Sequence, residues 1–157
     1  MSRATIGWIW VGGQALVLGA LILLPGRDDW PTPGSIQVVA TMTFFAGLAV
    51  VGIGALGLGT ALTPTPVPNQ RATLTRGGLY RFVRHPIYTG VLAVVAGMTL
   101  RSGSWIHLVV AMLAIVFFDR KAAWEEQQLT ERFPDYREYA TVTPKFIPRP
   151  WGTSGRH

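Results

Sequence analysis

Two long apolar runs, Ile6–Leu24 and Ile36–Leu62, constrain this chain more than any other feature, because neither contains a charged side chain. A bilayer core about 30 Å thick is crossed by roughly 20 consecutive apolar residues in a helix, and each run reaches that length. In lipid the backbone must satisfy its own polar groups, which a single segment does only as a helix. The composition agrees: 49% of residues are hydrophobic and 14% charged, against about a quarter charged in soluble domains. Arg3 gives a weak positive start, but Pro25 follows the first run without a small-residue cleavage site. The run therefore reads as a first transmembrane helix rather than a removed signal. Pro25–Gly34, rich in proline, glycine and charge, reads as a loop. Gly47, Gly52, Gly54, Gly57 and Gly59 in the second run are expected at close helix contacts.

Two shorter apolar segments follow, Ile87–Leu100 and Trp105–Phe118, joined by Arg101-Ser102-Gly103-Ser104. Each has about 14 residues and covers roughly 21 Å as a helix, short of a full crossing. They read as a helical hairpin whose polar ends extend it toward one interface. Beyond Phe118 the sequence is composed of good helix formers as far as Phe133. One long helix, Trp105–Phe133, is expected, ended by Pro134, with a short helix or turn at Tyr136-Arg137-Glu138-Tyr139 and an extended proline-rich tail. The fold class is thus all-α and integral to the membrane: four hydrophobic helices, the last two a hairpin, with a helical C-terminal extension. The chain reads as one domain, 1–157, with two spans in 1–62 and the chemistry in 63–150.

Loop charges set the expected orientation. Thr63–His85 carries Arg71, Arg76, Arg81 and Arg84 and no acidic residue, and the segment after Phe118 adds seven more lysines and arginines. The opposite loops hold Arg27, offset by Asp28 and Asp29, and Arg101. By the positive-inside tendency both termini face the cytoplasm, in the plasma (inner) membrane. The net charge of +6 is explained by this placement rather than by nucleic-acid binding. With no cysteine, disulfides, thiolate metal sites and a cysteine nucleophile are excluded. His85, His107 and His157 are far apart in sequence, and no metal site is expected.

The polar residues concentrate in two clusters on the cytoplasmic side, one at each free end of the hairpin. Pro86 suits the first position of a helix, where its missing N–H is not needed, with His85 as the cap. Free N–H groups and the helix dipole there favour an anion, and Arg84 adds a planar donor fork. Gly77-Gly78 allows a tight approach of the preceding backbone. Taken singly, Arg84 fits a lipid-phosphate anchor, His85 a structural cap, and Tyr80 and Tyr88 an aromatic belt. Their compact arrangement favours a site. Glu125 and Glu126 are adjacent and point about 100° apart on a helix, so one is expected to face the cleft and the other solvent.

The ordered segments Thr65-Pro66-Val67-Pro68, Gly78-Leu79-Tyr80-Arg81-Phe82-Val83-Arg84-His85-Pro86-Ile87-Tyr88-Thr89-Gly90, Glu125-Glu126-Gln127-Gln128-Leu129, Phe133-Pro134-Asp135-Tyr136-Arg137-Glu138-Tyr139 and Lys145-Phe146-Ile147-Pro148 resemble the isoprenylcysteine carboxyl methyltransferase and phospholipid methyltransferase superfamily. The resemblance covers about residues 63–150 and implies an integral-membrane enzyme that uses S-adenosylmethionine. A lipophilic or prenylated acceptor is expected to approach from the bilayer. It further implies that Tyr80, His85, Pro86, Tyr88, Glu125, Tyr136 and Tyr139 line the cofactor pocket. Arg84 with Glu125 or Glu126 would sit beside the acceptor as the catalytic group. Pro134 stands where the family usually has glycine.

The expected activity is therefore methyl transfer, with carboxyl O-methylation ahead of amine N-methylation because Arg84 can hold a carboxylate. Arg84→Ala is expected to reduce transfer sharply and leave the fold intact. Two alternatives stand beside it. A sterol-reductase-type enzyme would use NADPH, though the chain is short for it and has Ile87-Tyr88-Thr89-Gly90 after the His-Pro position. A non-enzymatic membrane scaffold would leave both polar clusters unexplained.

Overall fold

A computed structural model describes residues 1–59 and 74–149 of the chain. The Thr65-Pro66-Val67-Pro68 segment, Arg71, the end of the second apolar run and the tail from Pro150 onward lie outside the described residues. Five α-helices and no strand are present among the described residues: α1 (Arg3–Leu23), α2 (Gly34–Leu58), α3 (Pro86–Ser102), α4 (Trp105–Arg132) and α5 (Tyr136–Val142). A 3-10 turn, Gly78–Arg81, precedes α3.

Helices α1 and α2 are long and apolar enough to cross a membrane, with mean hydropathies of 1.9 and 2.1. Most of their surface is open: Trp8, Leu16, Met42 and Leu56 are all exposed large side chains. Contiguous apolar surface on this scale is what lipid, rather than water, accommodates. Helices α3 and α4 run longer than the apolar segments inside them, to about 26 Å and about 42 Å. The added length of α4, residues 119–132, is polar and lies at the end where the motif residues gather, whereas α3 gains Arg101 and Ser102 at the hairpin turn.

The packing has two parts. Helix α2 lies antiparallel on α3 with backbone against backbone. A Cβ added at Gly90 would meet the Gly47 carbonyl at 2.7 Å, and one added at Gly97 would meet the Ala40 carbonyl at the same distance. Small residues at seven-residue spacing therefore let the two main chains touch, the mode by which helices associate where lipid is as apolar as their side chains. Helix α1 packs on α4 instead. Trp10 sets its edge against Phe117, and Leu21 joins Val95, Ala111, Ala114 and Phe118 in the buried core. At the hairpin end, the Asp29 carboxylate accepts the Trp105 N–H at 2.9 Å, which places a negative charge on the N-terminus of α4. His107, also near that end, is buried and bonds the Leu21 carbonyl at 3.3 Å, as suits a structural histidine.

Candidate active site

The site is assembled where three segments distant in sequence converge. Gly78 opens the 3-10 turn with φ +59°, a left-handed conformation that glycine adopts without strain. The turn aims Tyr80 inward, and its hydroxyl donates to the Gly54 carbonyl on α2 at 3.3 Å. The chain then turns through Arg84 and His85, whose N–H groups donate to the carbonyls of Pro144 and Lys145 at 2.9 and 3.1 Å. These bonds draw the C-terminal segment against the start of α3, where Pro86 occupies the first helical turn. Thr89 adds a further link, donating to the Phe146 carbonyl at 2.9 Å.

Arg84 ties this closure together. Its Nε donates to Glu126 Oε1 at 2.9 Å, while Nη1 donates to the carbonyls of Ala140 and Thr143 at 2.8 and 2.5 Å. Those carbonyls lie at the C-terminal end of α5, where helical acceptors lack partners and a cation is favoured. The pair is largely buried, with side-chain exposures of 12% and 19%. Arg84 is thus a clamp on α5. Its engagement departs from the expectation that removing it would leave the fold intact.

Both glutamates reach the cluster, rather than one. His85 makes this possible because its two ring nitrogens face different neighbours. Nε2 donates to Glu126 Oε1 at 2.9 Å, and Nδ1 stands 3.7 Å from Glu125 Oε2. The ring stacks on Tyr88 at 5.4 Å between centroids, and the Tyr88 hydroxyl donates to Glu125 Oε2 at 3.0 Å. Burial pushes the Glu126 carboxyl up, but the bonds from His85 and Arg84 outweigh it and hold the group down at about 2. Glu126 is therefore a fixed anion whose charge is already matched. Among the described residues no lysine or arginine pairs with Glu125, which leaves a carboxylate able to receive a cationic ligand.

The remaining predicted residues surround this core. Tyr139 donates its hydroxyl to the Tyr80 carbonyl, linking α5 to the 3-10 turn. Burial raises the Tyr139 phenol to about 12 and pushes those of Tyr80 and Tyr136 higher still, so all three are hydrogen-bond donors at neutral pH. Tyr136 is buried, and its hydroxyl has no partner among the described residues. It borders a cleft of about 570 Å³ between the second half of α4 and α5, lined also by Ala123, Glu126, Thr130 and Ala140. An unsatisfied buried donor beside a cleft is costly unless a ligand or water completes it. Pro134 sits in the turn between the helices, where Tyr136 N–H still reaches the Phe133 carbonyl at 2.9 Å.

Residues 36–136 match the family described as phospholipid methyltransferase. That stretch runs from α2 through both polar clusters to the start of α5. The chain belongs to the phospholipid methyltransferase family. Similarity to individual members of the wider group is uneven. The cobalt-zinc-cadmium resistance protein CzcN of Cupriavidus metallidurans is 27% identical over 95% of this chain, which spans 66% of that protein's length. Protein-S-isoprenylcysteine O-methyltransferase of Schizosaccharomyces pombe is 30% identical over 51% of the chain and 35% of its own length. Methanethiol S-methyltransferase 1 of Bradyrhizobium diazoefficiens is 38% identical over 45% of the chain and 24% of its own length.

Within this family setting, sequence reasoning missed one pair. Lys121 on α4 is 4% exposed and donates to Gln14 of α1. The sequence did carry a signal for it: Gln14 is the one amide side chain in the otherwise uncharged Ile6–Leu24 run.

Proposed function

We propose that the protein transfers a methyl group from S-adenosylmethionine to a lipophilic acceptor at the cytoplasmic face of the membrane. Family membership supports methyl transfer at a membrane. The single observation that carries the cofactor reading is Glu125, a carboxylate oriented by Tyr88 and His85 with no lysine or arginine paired to it among the described residues. The cofactor's ammonium complements that carboxylate, and its polar groups complement the unpartnered Tyr136 hydroxyl. When bound, S-adenosylmethionine supplies an activated methyl on a positively charged sulfur.

The chain's own residues would do the rest. Glu125 holds the ammonium end, with Tyr88 fixing its carboxylate in direction. Glu126, Arg84 and His85 form a neutralised brace that keeps the α5 segment closed over the start of α3. Closure excludes water, so charge lost from the sulfur in the transition state is not opposed by solvent reorganisation. Alignment of acceptor and methyl does the remaining work, since well-oriented reacting pairs gain up to about 7–11 kcal/mol over free encounter. Arg84, Glu125 and Glu126 act in this reading by binding and bracing, and Tyr80, His85, Pro86, Tyr88, Tyr136 and Tyr139 as the pocket wall.

The whole of 1–157 acts as one unit in this reading, with four helices in the membrane and both termini cytoplasmic. The acceptor's nucleophilic atom is a carboxylate oxygen or a thiolate sulfur in preference to an amine. The S. pombe relative is named for O-methylation and the Bradyrhizobium one for S-methylation. Neither nucleophile leaves a methylated cation in an apolar cleft.

Thermal unfolding of the purified protein in detergent tests the cofactor. S-adenosylmethionine is expected to raise the Tm saturably, while NADPH leaves it unchanged. Stabilisation by NADPH alone would overturn the proposal in favour of a reductase. No response to either cofactor, with the helical fold verified by circular dichroism, would favour a scaffold.

A further inference from the structure

Among the described residues Lys121 forms no ion pair with a carboxylate, although it is buried at the apolar end of the cluster; Glu125, one turn along α4, acts on it only through space. Its ammonium donates to Gln14 and lies 5.1 Å above the centre of the Tyr88 ring and 6.0 Å from that of Phe118. An ammonium carries three donors, and one acceptor is met among the described residues. The face of α1 that supplies Gln14 also supplies Trp10, one turn earlier. Trp10 packs on Phe117 and Trp124, which share the α4 face of Lys121. The ring N–H of Trp10 is buried and has no partner among the described residues.

The α1–α4 seam therefore presents spare donors, one of them charged, in apolar surroundings. Buried donors are almost always satisfied, and a charged group inside a membrane protein usually marks a functional position with a definite partner. Gln14 supplies a neutral oxygen, which orients the ammonium without cancelling its charge. Arg84 is not a substitute for Lys121, because Glu126 and the α5 carbonyls engage it.

We infer that the α1–α4 seam holds the anionic head of the methyl acceptor, with Lys121 as its counter-ion and Trp10 Nε1–H as a second donor. This rests on the methyltransferase reading and adds where the acceptor's charged group is held: a lipophilic carboxylate or thiolate is seated on Lys121. The Tyr88 ring stands between the two ends of the site, in contact with Lys121 on the acceptor side and bonded to Glu125 on the cofactor side. In the reaction the acceptor's oxygen or sulfur forms a bond to the methyl carbon with its own electron pair. The bond from that carbon to the sulfonium sulfur breaks, and its pair stays on that sulfur. One anion and one cation become two neutral products, so the product loses its attraction to Lys121 and is released toward lipid. Lys121 serves selection and placement rather than activation, since a counter-ion steadies the free nucleophile as well.

The test measures binding of dodecanoate and dodecylamine to the full chain in neutral-lipid nanodiscs, read by thermal unfolding, with S-adenosylmethionine titrated separately. Dodecanoate is expected to stabilise the protein and dodecylamine not. Lys121→Met should weaken dodecanoate binding roughly tenfold or more, as loss of a charged hydrogen bond does, and Lys121→Arg should retain most of it. Gln14→Glu keeps Lys121 in place but gives it an internal carboxylate. It should weaken dodecanoate comparably, and it serves if Lys121→Met fails to fold. All three variants should keep the S-adenosylmethionine response. Where dodecanoate is methylated, Lys121→Met should raise KM more than it lowers kcat. Equal binding of the amine, or dodecanoate binding unmoved by Lys121→Met and Gln14→Glu, would overturn the inference. So would displacement of dodecanoate by phosphatidylglycerol at equal mole fraction, which would assign the seam to a lipid phosphate. An absent S-adenosylmethionine response in the unaltered protein would instead sink the methyltransferase reading, whatever the dodecanoate result.

Discussion

The α2–α3 contact and the α3–α4–α5 junction hold the same helix, α3, by opposite means. Against α2 the contact is made chiefly of glycine and carbonyl, with one exposed side-chain bond, Arg101 to Thr41, toward the hairpin end. Against α4 and α5 it is made of Arg84, His85, Glu125 and Glu126, each needing its partner. The first arrangement is stable because nothing is left to satisfy and the backbones are close. The second is stable only while it is complete, since removing one member of a buried charge pair strands the other. A glycine interface positions α3 rigidly; an ionic junction lets a terminal segment close over it.

The largest effect should come from breaking the glycine contact. Gly90→Val places a branched side chain where even a Cβ meets the Gly47 carbonyl at 2.7 Å. Neither backbone can yield without separating the helices, so a loss of roughly 3 kcal/mol or more is expected. The measurement is the yield of monodisperse protein in detergent, with Gly52→Ala as a control, because nothing lies within 4 Å of a Cβ there.

Next in size is Arg84→Ala, which strands Glu126 and uncaps α5. About 3 kcal/mol should be lost, at the lower end for a broken buried pair because the cluster is partly exposed. The loss should be local: limited proteolysis should cut between α4 and α5 while α2 and α3 stay protected. Adding Glu126→Gln should recover part of it, because the stranded charge is gone. The same junction should respond to acid. Glu126 is held at about 2 against 4.5 for a free glutamate. Its contribution is complete above the free value and is lost as pH falls from about 4.5 to about 2, because the unfolded chain takes up the proton first. Tm against pH should show that step, and Glu126→Gln should flatten it.

Much of this contrast was legible in the sequence, and the part that was not has physical causes. Pro86 and His85 fixed the start of α3, and the run of helix formers after Phe118 announced the length of α4. Gly47 and Gly54 of the second run do pack closely, on α3, whereas Gly52 and Gly59 open on space; composition marked the run but not which glycines or which partner helix, since periodicity describes one helix at a time. The two glutamates show a different gap. A 100° step between neighbours argues for one inward residue, but a histidine with two ring nitrogens can meet both. Arg84 was read as a ligand-holding group because its α5 carbonyl partners lie more than fifty residues away. No local pattern encodes that closure.

Glu125→Gln sharpens the comparison from the functional side. Glu125 contributes little to holding α5, so its neutralisation should leave the Tm without cofactor nearly unchanged. Affinity for S-adenosylmethionine should fall roughly tenfold or more, the usual scale for a lost charged hydrogen bond. Isothermal titration separates this from Arg84→Ala, which should lower stability and affinity together.

The smallest effect is expected from Tyr88→Phe, and it bears most directly on how the two sides of the site communicate. The substitution keeps the ring that stacks on His85 and meets the Lys121 ammonium, and removes only the hydroxyl that donates to Glu125 at 3.0 Å. Glu125 is then free to turn, because its other neighbour, His85 Nδ1, stands at 3.7 Å. A hydrogen bond to a charged group is worth about 1.5–3 kcal/mol, and water reaching the 26%-exposed carboxylate offsets much of that. A three- to tenfold weakening of S-adenosylmethionine binding is expected on that basis, with dodecanoate binding unchanged. If both ligands weakened equally, Tyr88 would be acting as a wall whose packing matters more than its hydroxyl. The polar junction would then owe its order to aromatic contact as well as to charge, and the contrast with the glycine interface would be one of degree.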